Sequence, residues 1–488
     1  MMRPFAPIPT AIALIIGLAI WFVIPVPDGV APEAWHLLAI FVATIAAIIG
    51  KAMGIGALAM IGITLVAITG VTNPDSPKGA ILDALSGFSN PLIWLIGLAM
   101  MISRGLAKTG LGNRIGYAFI SIFGKRTLGI GYALTLAELT IAPITPSNTA
   151  RGGAIIHPIM RSIADSFGSS PEQGTSGRIG HYLALVNYHA NPISSAMFIT
   201  ATAPNPLIVD LISKTTGGSF SITWTQWALA ALVPGLVALL VMPLALYFLY
   251  PPELKRTPDA TQFARDKLGE MGPLSGQEWI MIGVFAMLLL LWAGIPAMLF
   301  GPGLAVNATT VALLGLSILL ISGVLTWDDV LKEKSAWDTI VWFSALVMMA
   351  SFLGKLGLIS WFSGVIQQGI ASFEMGWFAM TLALVAIFFY THYFFASVTA
   401  HVTAMFGAFL AAGIALGIPT PYLALMMAGA SSLMMSLTHY ATGTAPIIYG
   451  SGYIEMGAWW KAGFIMSLIN LAIWITVGSL WWKVLGYW

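Results

Sequence analysis

Two short polar runs interrupt long apolar stretches of this chain, and both have the residue types of an anion site. The first is Thr145-Pro146-Ser147-Asn148-Thr149-Ala150. Pro146 cannot continue a helical hydrogen-bond ladder and Ser or Asn suits an N-cap, so a new helix is expected to begin near Ser147. Its unpaired N–H groups and positive dipole end attract negative charge, with Ser147, Asn148 and Thr149 as further partners. Carbonyls released at the same interruption could coordinate a cation, which would put a residual sodium site near Ser147 and Asn148. The second run, Ser397-Val398-Thr399, repeats the arrangement without the Asn.

A second pair of motifs follows. Thr200-Ala201-Thr202-Ala203-Pro204, continued by Asn205, matches Thr442-Gly443-Thr444-Ala445-Pro446. Each proline removes a backbone donor and should break its helix at membrane depth, which is tolerable where the backbone lines a cavity. One such proline alone reads more simply as a kink in a packing helix. Two with the same threonine pattern favour a binding site, with Thr202, Pro204, Asn205, Thr442, Gly443, Thr444 and Pro446 as candidate ligands. Arg151 and His401 lie four residues after Ser147 and Ser397. A cation at that depth is costly unless paired or facing water, so both are expected to serve the anion; the plainer alternatives are a satisfied interior histidine and a snorkelling arginine. His181, His189, Asn187, Asn191, His392 and His439 are weaker candidates.

These motifs need elements to hold them. Of 488 residues, 58% are hydrophobic and 8% charged, a composition for bilayer and not for water. A net charge of +2 does not suggest nucleic acid, and the lack of cysteine removes disulfides and thiolate metal sites. Spans are expected near 8–26, 35–51, 53–72, 88–107, 181–213, 224–250, 277–297, 304–324, 338–356, 420–450 and 460–483. The stretches 128–165 and 378–414 are broken in the middle and read as re-entrant hairpins, leaving about 11 true crossings. With the N-terminus in the cytoplasm and the C-terminus outside, most Lys and Arg, among them Lys108, Arg114, Lys125, Arg126, Lys255 and Lys332, fall on the cytoplasmic side. Trp459, Trp460, Trp481 and Trp482 read as interface anchors.

Three ordered segment pairs match at an offset of about 250 residues. They are 94–111 with 342–358, the two serine tips, and the two Thr/Pro breaks. Each half holds five spans and one hairpin, so the second half should sit inverted relative to the first. The expected division is an N-terminal span (1–34), repeat 1 (35–250, with hairpin 128–165 and broken span 181–213), a cytoplasmic linker helix (251–276) and repeat 2 (277–488, with hairpin 378–414 and broken span 420–450). The fold class is therefore an all-α polytopic membrane protein with inverted repeats.

At these residues the sequence resembles the divalent anion/sodium symporter family, which carries Krebs-cycle di- and tricarboxylates. Ser147-Asn148-Thr149, 200–205 and 442–446 carry the likeness. The run from Pro146 to Gly152, with Tyr440-Ala441-Thr442-Gly443 and the stretch 448–453, is similar to the branch of citrate/succinate, tartrate/succinate and 2-oxoglutarate/malate antiporters. The resemblance implies a homodimer in the cytoplasmic membrane whose hairpins and broken spans move as an elevator, with no cofactor. Substrates would be succinate, malate, fumarate or 2-oxoglutarate, with citrate or tartrate as further candidates. Sodium-coupled members use the tip Asn to build a cation site, so Val398 puts the second sodium site in doubt. With fixed cations at Arg151 and His401, an empty site would cross the membrane carrying unpaired charge, and sodium-independent exchange is the expected mechanism. A sodium-coupled symporter is the alternative; an anion channel or a membrane-embedded enzyme is more distant. No G-x-x-x-x-G-K-[ST] loop for ATP, paired intramembrane carboxylates or HExxH cluster is present in the sequence.

Overall fold

The computed structural model describes residues 5–358, 360–362, 364–365 and 376–488. The first four residues of the N-terminal segment lie outside it. Among the described residues the protein is all helix and connecting segments, apart from a single bridging pair, Arg126 and Arg256. Eight helices among the described residues are long and apolar enough to cross a bilayer, including Trp224–Leu249, Trp377–Phe394 and Val398–Ala415. Pro7–Val23, Ile55–Thr69, Gly276–Trp292 and Ala308–Ile321 are shorter apolar helices.

Local chemistry sets the helix starts. Proline opens Pro32–Ile49, Pro91–Thr109 and Pro204–Thr215, where its missing N–H would be unpaired anyway. Ser275 and Thr223 close capping boxes with Glu278 and Gln226. Glu278 also pairs with Arg114 at 2.5 Å, tying the helix Leu111–Phe123 to the start of Gly276–Trp292. The polar segment between the halves holds a helix, Pro258–Glu270, that buries Ala260 and Ala264.

Burial separates inner from outer elements. Leu229, Leu232, Leu236, Leu240 and Leu244 of Trp224–Leu249 lie along one exposed face, as expected for a surface against lipid tails. Gly180–Met197 is instead buried along nearly its whole length, and so is Thr420–Leu433. These two helices pack against each other in the interior, and both are interrupted. The first resumes as Pro204–Thr215 and the second as Thr444–Gly450.

Two of the tryptophans expected at the membrane surface are interior. Trp459 is 1% exposed and lies 4.3 Å from the Tyr188 ring; Trp482, equally buried, donates to Ala230 O at 2.9 Å. Their indoles fill gaps beside the broken helices, a packing role that nearness to a span end cannot reveal.

The second break is held from behind by Met456–Ile473. A Cβ built on Gly463 would come within 2.5 Å of Ser436 O and 2.6 Å of Leu437 O. Backbone cannot move aside as a flexible side chain can. Gly463→Ala should therefore destabilise the protein by about 1–3 kcal/mol, read as a lowered unfolding temperature in detergent. An unchanged temperature would mean that this contact is looser than drawn.

Candidate functional site

The two serine tips are built alike. Ser147 Oγ accepts from Ala150 N–H at 3.1 Å and Ser397 Oγ from Ala400 N–H at 3.3 Å, so each serine caps the arm that follows it. Both arms then widen into π-helical turns, at Thr149–Ile156 and Val402–Phe406. Such turns are uncommon and tend to mark functional segments. No sequence signal foretold them.

A cavity of about 150 Å³ lies where tips and breaks converge. Asn148 reaches it from the first tip, and Thr202 and Pro204 from the first break. Ser397, Val398 and Thr399 line it from the second tip, and Thr442 and Gly443 from the second break. Ala203, Ala396 and Met435 complete the wall and were not anticipated. The approach is close: a Cβ on Gly443 would collide with Thr149 Oγ1. Ser147 and Thr149 face a neighbouring cavity of about 430 Å³, shared with Arg104 and Glu333. There Arg104 lies 3.3 Å from Glu333 and 3.6 Å from Asp329, and Lys108 bonds Asp329 at 2.6 Å, which holds that carboxyl well below the usual carboxylate range.

Other expected ligands stand behind the wall. Arg151 is fully buried: Nε donates to Glu138 at 2.6 Å, Nη1 to Thr145 O and Ala201 O at 2.7 Å each, and Nη2 to Ser195 Oγ at 2.8 Å. Its charge is neutralised by a carboxylate thirteen residues earlier, so the guanidinium expected to serve the anion is paired behind the wall and not open to the cavity. The guanidinium also takes the released carbonyls of the first tip and first break. Among the described residues no cluster of His, Asp and Glu could hold a metal ion.

Asn205 is outside the cavity wall and braces the first break. Its amide donates to Ser195 O at 2.7 Å and Phe198 O at 2.8 Å, and its oxygen accepts from Ser432 at 3.2 Å. Thr444 is buried behind the tip, within reach of Asn148 and Asn191, and Pro446 is not in the cavity wall. Asn191, one of the weaker candidates, donates to Glu138 at 2.7 Å and to Asn148 O at 3.0 Å. Asn148 in turn donates to Thr442 Oγ1 at 2.7 Å. One hydrogen-bonded chain thus runs from the buried ion pair to the cavity wall. At the second break, Tyr188 donates to the carbonyls of Met435 and Thr438. His401 is fully buried, bonded to His392 and Thr391 and outside the wall.

The profile of a family described as "Sodium:sulfate symporter transmembrane region" matches residues 7–488. The chain belongs to this family. Among the family's relatives, the putative malate transporter YflS of Bacillus subtilis is 50% identical over 99% of this chain and 97% of its own length. Dicarboxylate transporter 1 of Arabidopsis thaliana chloroplasts is 45% identical over 98% and 83%. The citrate/succinate antiporter of Escherichia coli K12 is 35% identical over 98% of both chains. The fold also resembles that of the Alcanivorax borkumensis YdaH transporter, at a TM-score of 0.59 and 13% identity over 88% of this chain and 97% of that one. This family member is a multi-pass membrane transporter and not an enzyme, as its apolar helices and the named relatives agree.

Breaking a buried ion pair leaves an uncompensated charge and typically costs about 3–5 kcal/mol. Glu138→Gln should therefore lower thermal stability sharply, and Arg151→Met in the same chain should restore part of the loss. Equal stability of the single variant and the parent would show that Glu138 does not hold Arg151.

Proposed function

We propose that this protein exchanges one dicarboxylate for another across the cytoplasmic membrane without sodium. The observation that carries the reading is the cavity walled by Asn148 of the first tip, by the capped helix start at Ser397, Val398 and Thr399, and by the Thr202 and Thr442 hydroxyls of the two breaks. A dianion can accept from backbone N–H groups at one tip and from Thr and Ser hydroxyls at the other. Succinate, malate, fumarate and 2-oxoglutarate fit that chemistry, as do citrate and tartrate. The named malate, dicarboxylate and citrate/succinate relatives support the substrate class.

Exchange has a different physical basis once Arg151 is paired. The tips still present donors and dipole ends that lose water when the cavity closes, and unpartnered polar groups are costly away from water. A bound dianion supplies the missing acceptors, so the loaded site crosses more readily than the empty one. Swapping equal charges is also indifferent to a membrane potential worth about 2.3 kcal/mol per charge per 100 mV. Independence from sodium is supported by the fixed Arg151 guanidinium behind the first tip, bonded to Thr145 O and Ala201 O, and by Val398 at the second tip. In this reading the two halves are inverted repeats, the hairpins and broken helices ride as an elevator against the remaining spans, and the protein works as a homodimer with its N-terminus in the cytoplasm. Sodium-coupled symport is the second reading, favoured by the family's description.

Proteoliposomes decide between them. Labelled malate should enter vesicles preloaded with unlabelled malate at least about tenfold faster than empty ones, whether the salt is sodium or choline; under full exchange coupling, net entry is confined to the rare crossing of the empty site. Sodium-stimulated uptake into empty vesicles would replace exchange by symport.

A further inference from the structure

The first tip borders two cavities. Asn148 faces the one of about 150 Å³, while its neighbours Ser147 and Thr149 face the one of about 430 Å³. The larger cavity is also lined by Arg104 of Pro91–Thr109 and by Glu333 and Ser335 at the start of Lys334–Lys355. Among the described residues Arg104 is the only cationic side chain that lines either cavity. Any dicarboxylate that passes the tip on this side meets that guanidinium.

How tightly a guanidinium is held decides whether it can bind anything else. Arg151 is buried and its donors are taken by protein. Arg104 is different. Its side chain is 34% exposed, and among the described residues it makes one hydrogen bond of five possible, from Nη1 to Glu333 at 3.3 Å. Asp329 lies 3.6 Å from Nε and is engaged elsewhere. Lys108 takes it at 2.6 Å, and the N–H and hydroxyl of Thr326 donate to it at 2.9 Å each. Glu333 is itself 22% exposed. Partly exposed ion pairs contribute little stability, so one carboxylate can give way to another. A dicarboxylate carries the paired oxygens that a guanidinium fork fits.

We propose that Arg104 is a relay site for the dicarboxylate outside the cavity of tips and breaks, and that Glu333 is the internal carboxylate the acid displaces. The inference rests on the exchange reading above for its substrate. The Ser147 and Thr149 hydroxyls on the tip and the Arg104 fork on another helix are then successive partners for the same acid. The charges of Arg104, Lys108, Asp329 and Glu333 cancel, so the resting cluster presents no net charge to the cavity. That suits a relay, which must bind well enough to receive an anion and weakly enough to release it. The return of Glu333 to Arg104 ends the stay. In the elevator reading Arg104 and Glu333 belong to spans that stay fixed while the tip moves. The relay then serves one face, that of Lys108 and Lys332, which is cytoplasmic in that reading.

The test is exchange of malate, and in a second arm of 2-oxoglutarate, by the full-length protein in vesicles of known orientation, with KM measured at each face. Arg104→Gln should raise the ratio of the cytoplasmic to the outer KM about tenfold, the size expected for losing one charge-assisted hydrogen bond to a carboxylate. Glu333→Gln should lower the same ratio, because the competing carboxylate is gone. A purely structural ion pair would move the ratio in the same direction in both variants, or not at all, and either result would overturn the relay while leaving exchange standing. If Arg104→Gln does not fold, Glu333→Gln still decides: an unchanged or raised ratio overturns the proposal. The chain has no cysteine, so Arg104→Cys places a single thiol that can be modified after reconstitution. An ammonium-bearing thiosulfonate should recover most of the parent ratio and a sulfonate-bearing one should not; recovery with both, or with neither, would count against the relay. A parent protein that exchanges neither acid would defeat the exchange reading, and the relay with it.

Discussion

A helix broken inside a membrane must find partners for its freed backbone groups, because no water is present to supply them. The arrangement around Arg151 answers that constraint. One guanidinium accounts for two carbonyls, Thr145 O and Ala201 O, and bridges the first tip to the first break. The charge that this brings in is cancelled by Glu138, whose Oε1 also gathers Asn191 and Ser194. That cluster braces the tip from behind and leads through Asn191 to Asn148 and Thr442 at the cavity wall.

The second tip meets the same constraint by softer means. Tyr188 reaches across from the first broken helix to the carbonyls of Met435 and Thr438, and His392 serves Ala441. Neither is a permanent charge. The two ends of the cavity therefore share a serine cap and π-helical turns but differ in electrostatics.

Much of this was legible in the residues. Ser147 and Ser397 as caps follow from side-chain chemistry, and the breaks near Pro204 and Pro446 follow from the missing N–H. The positions of Thr202, Pro204, Thr442 and Gly443 in the wall follow from those breaks. What sequence could not supply was direction. Arg151 and His401 sit at matched places in the chain, and matched placement suggested that both face substrate; but both turn away, Arg151 onto Glu138 and His401 onto His392. Glu138 was visible as an isolated acidic residue before the tip, and its spacing of thirteen from Arg151 becomes a contact only once the chain doubles back. Asn205 adjoins a true wall residue and points the other way. Side-chain direction at a break depends on which carbonyls need partners, and that is settled by tertiary packing.

The central claim is that Arg151 serves the fold and not the substrate. It is tested most directly by an experimental density map of the protein in lipid with a dicarboxylate bound. The account predicts the acid between Asn148, Ser397, Thr399 and Thr442, with the Arg151 guanidinium still on Glu138, Thr145 O and Ala201 O. A substrate carboxylate paired directly with Arg151, and Glu138 released from it, would contradict the account.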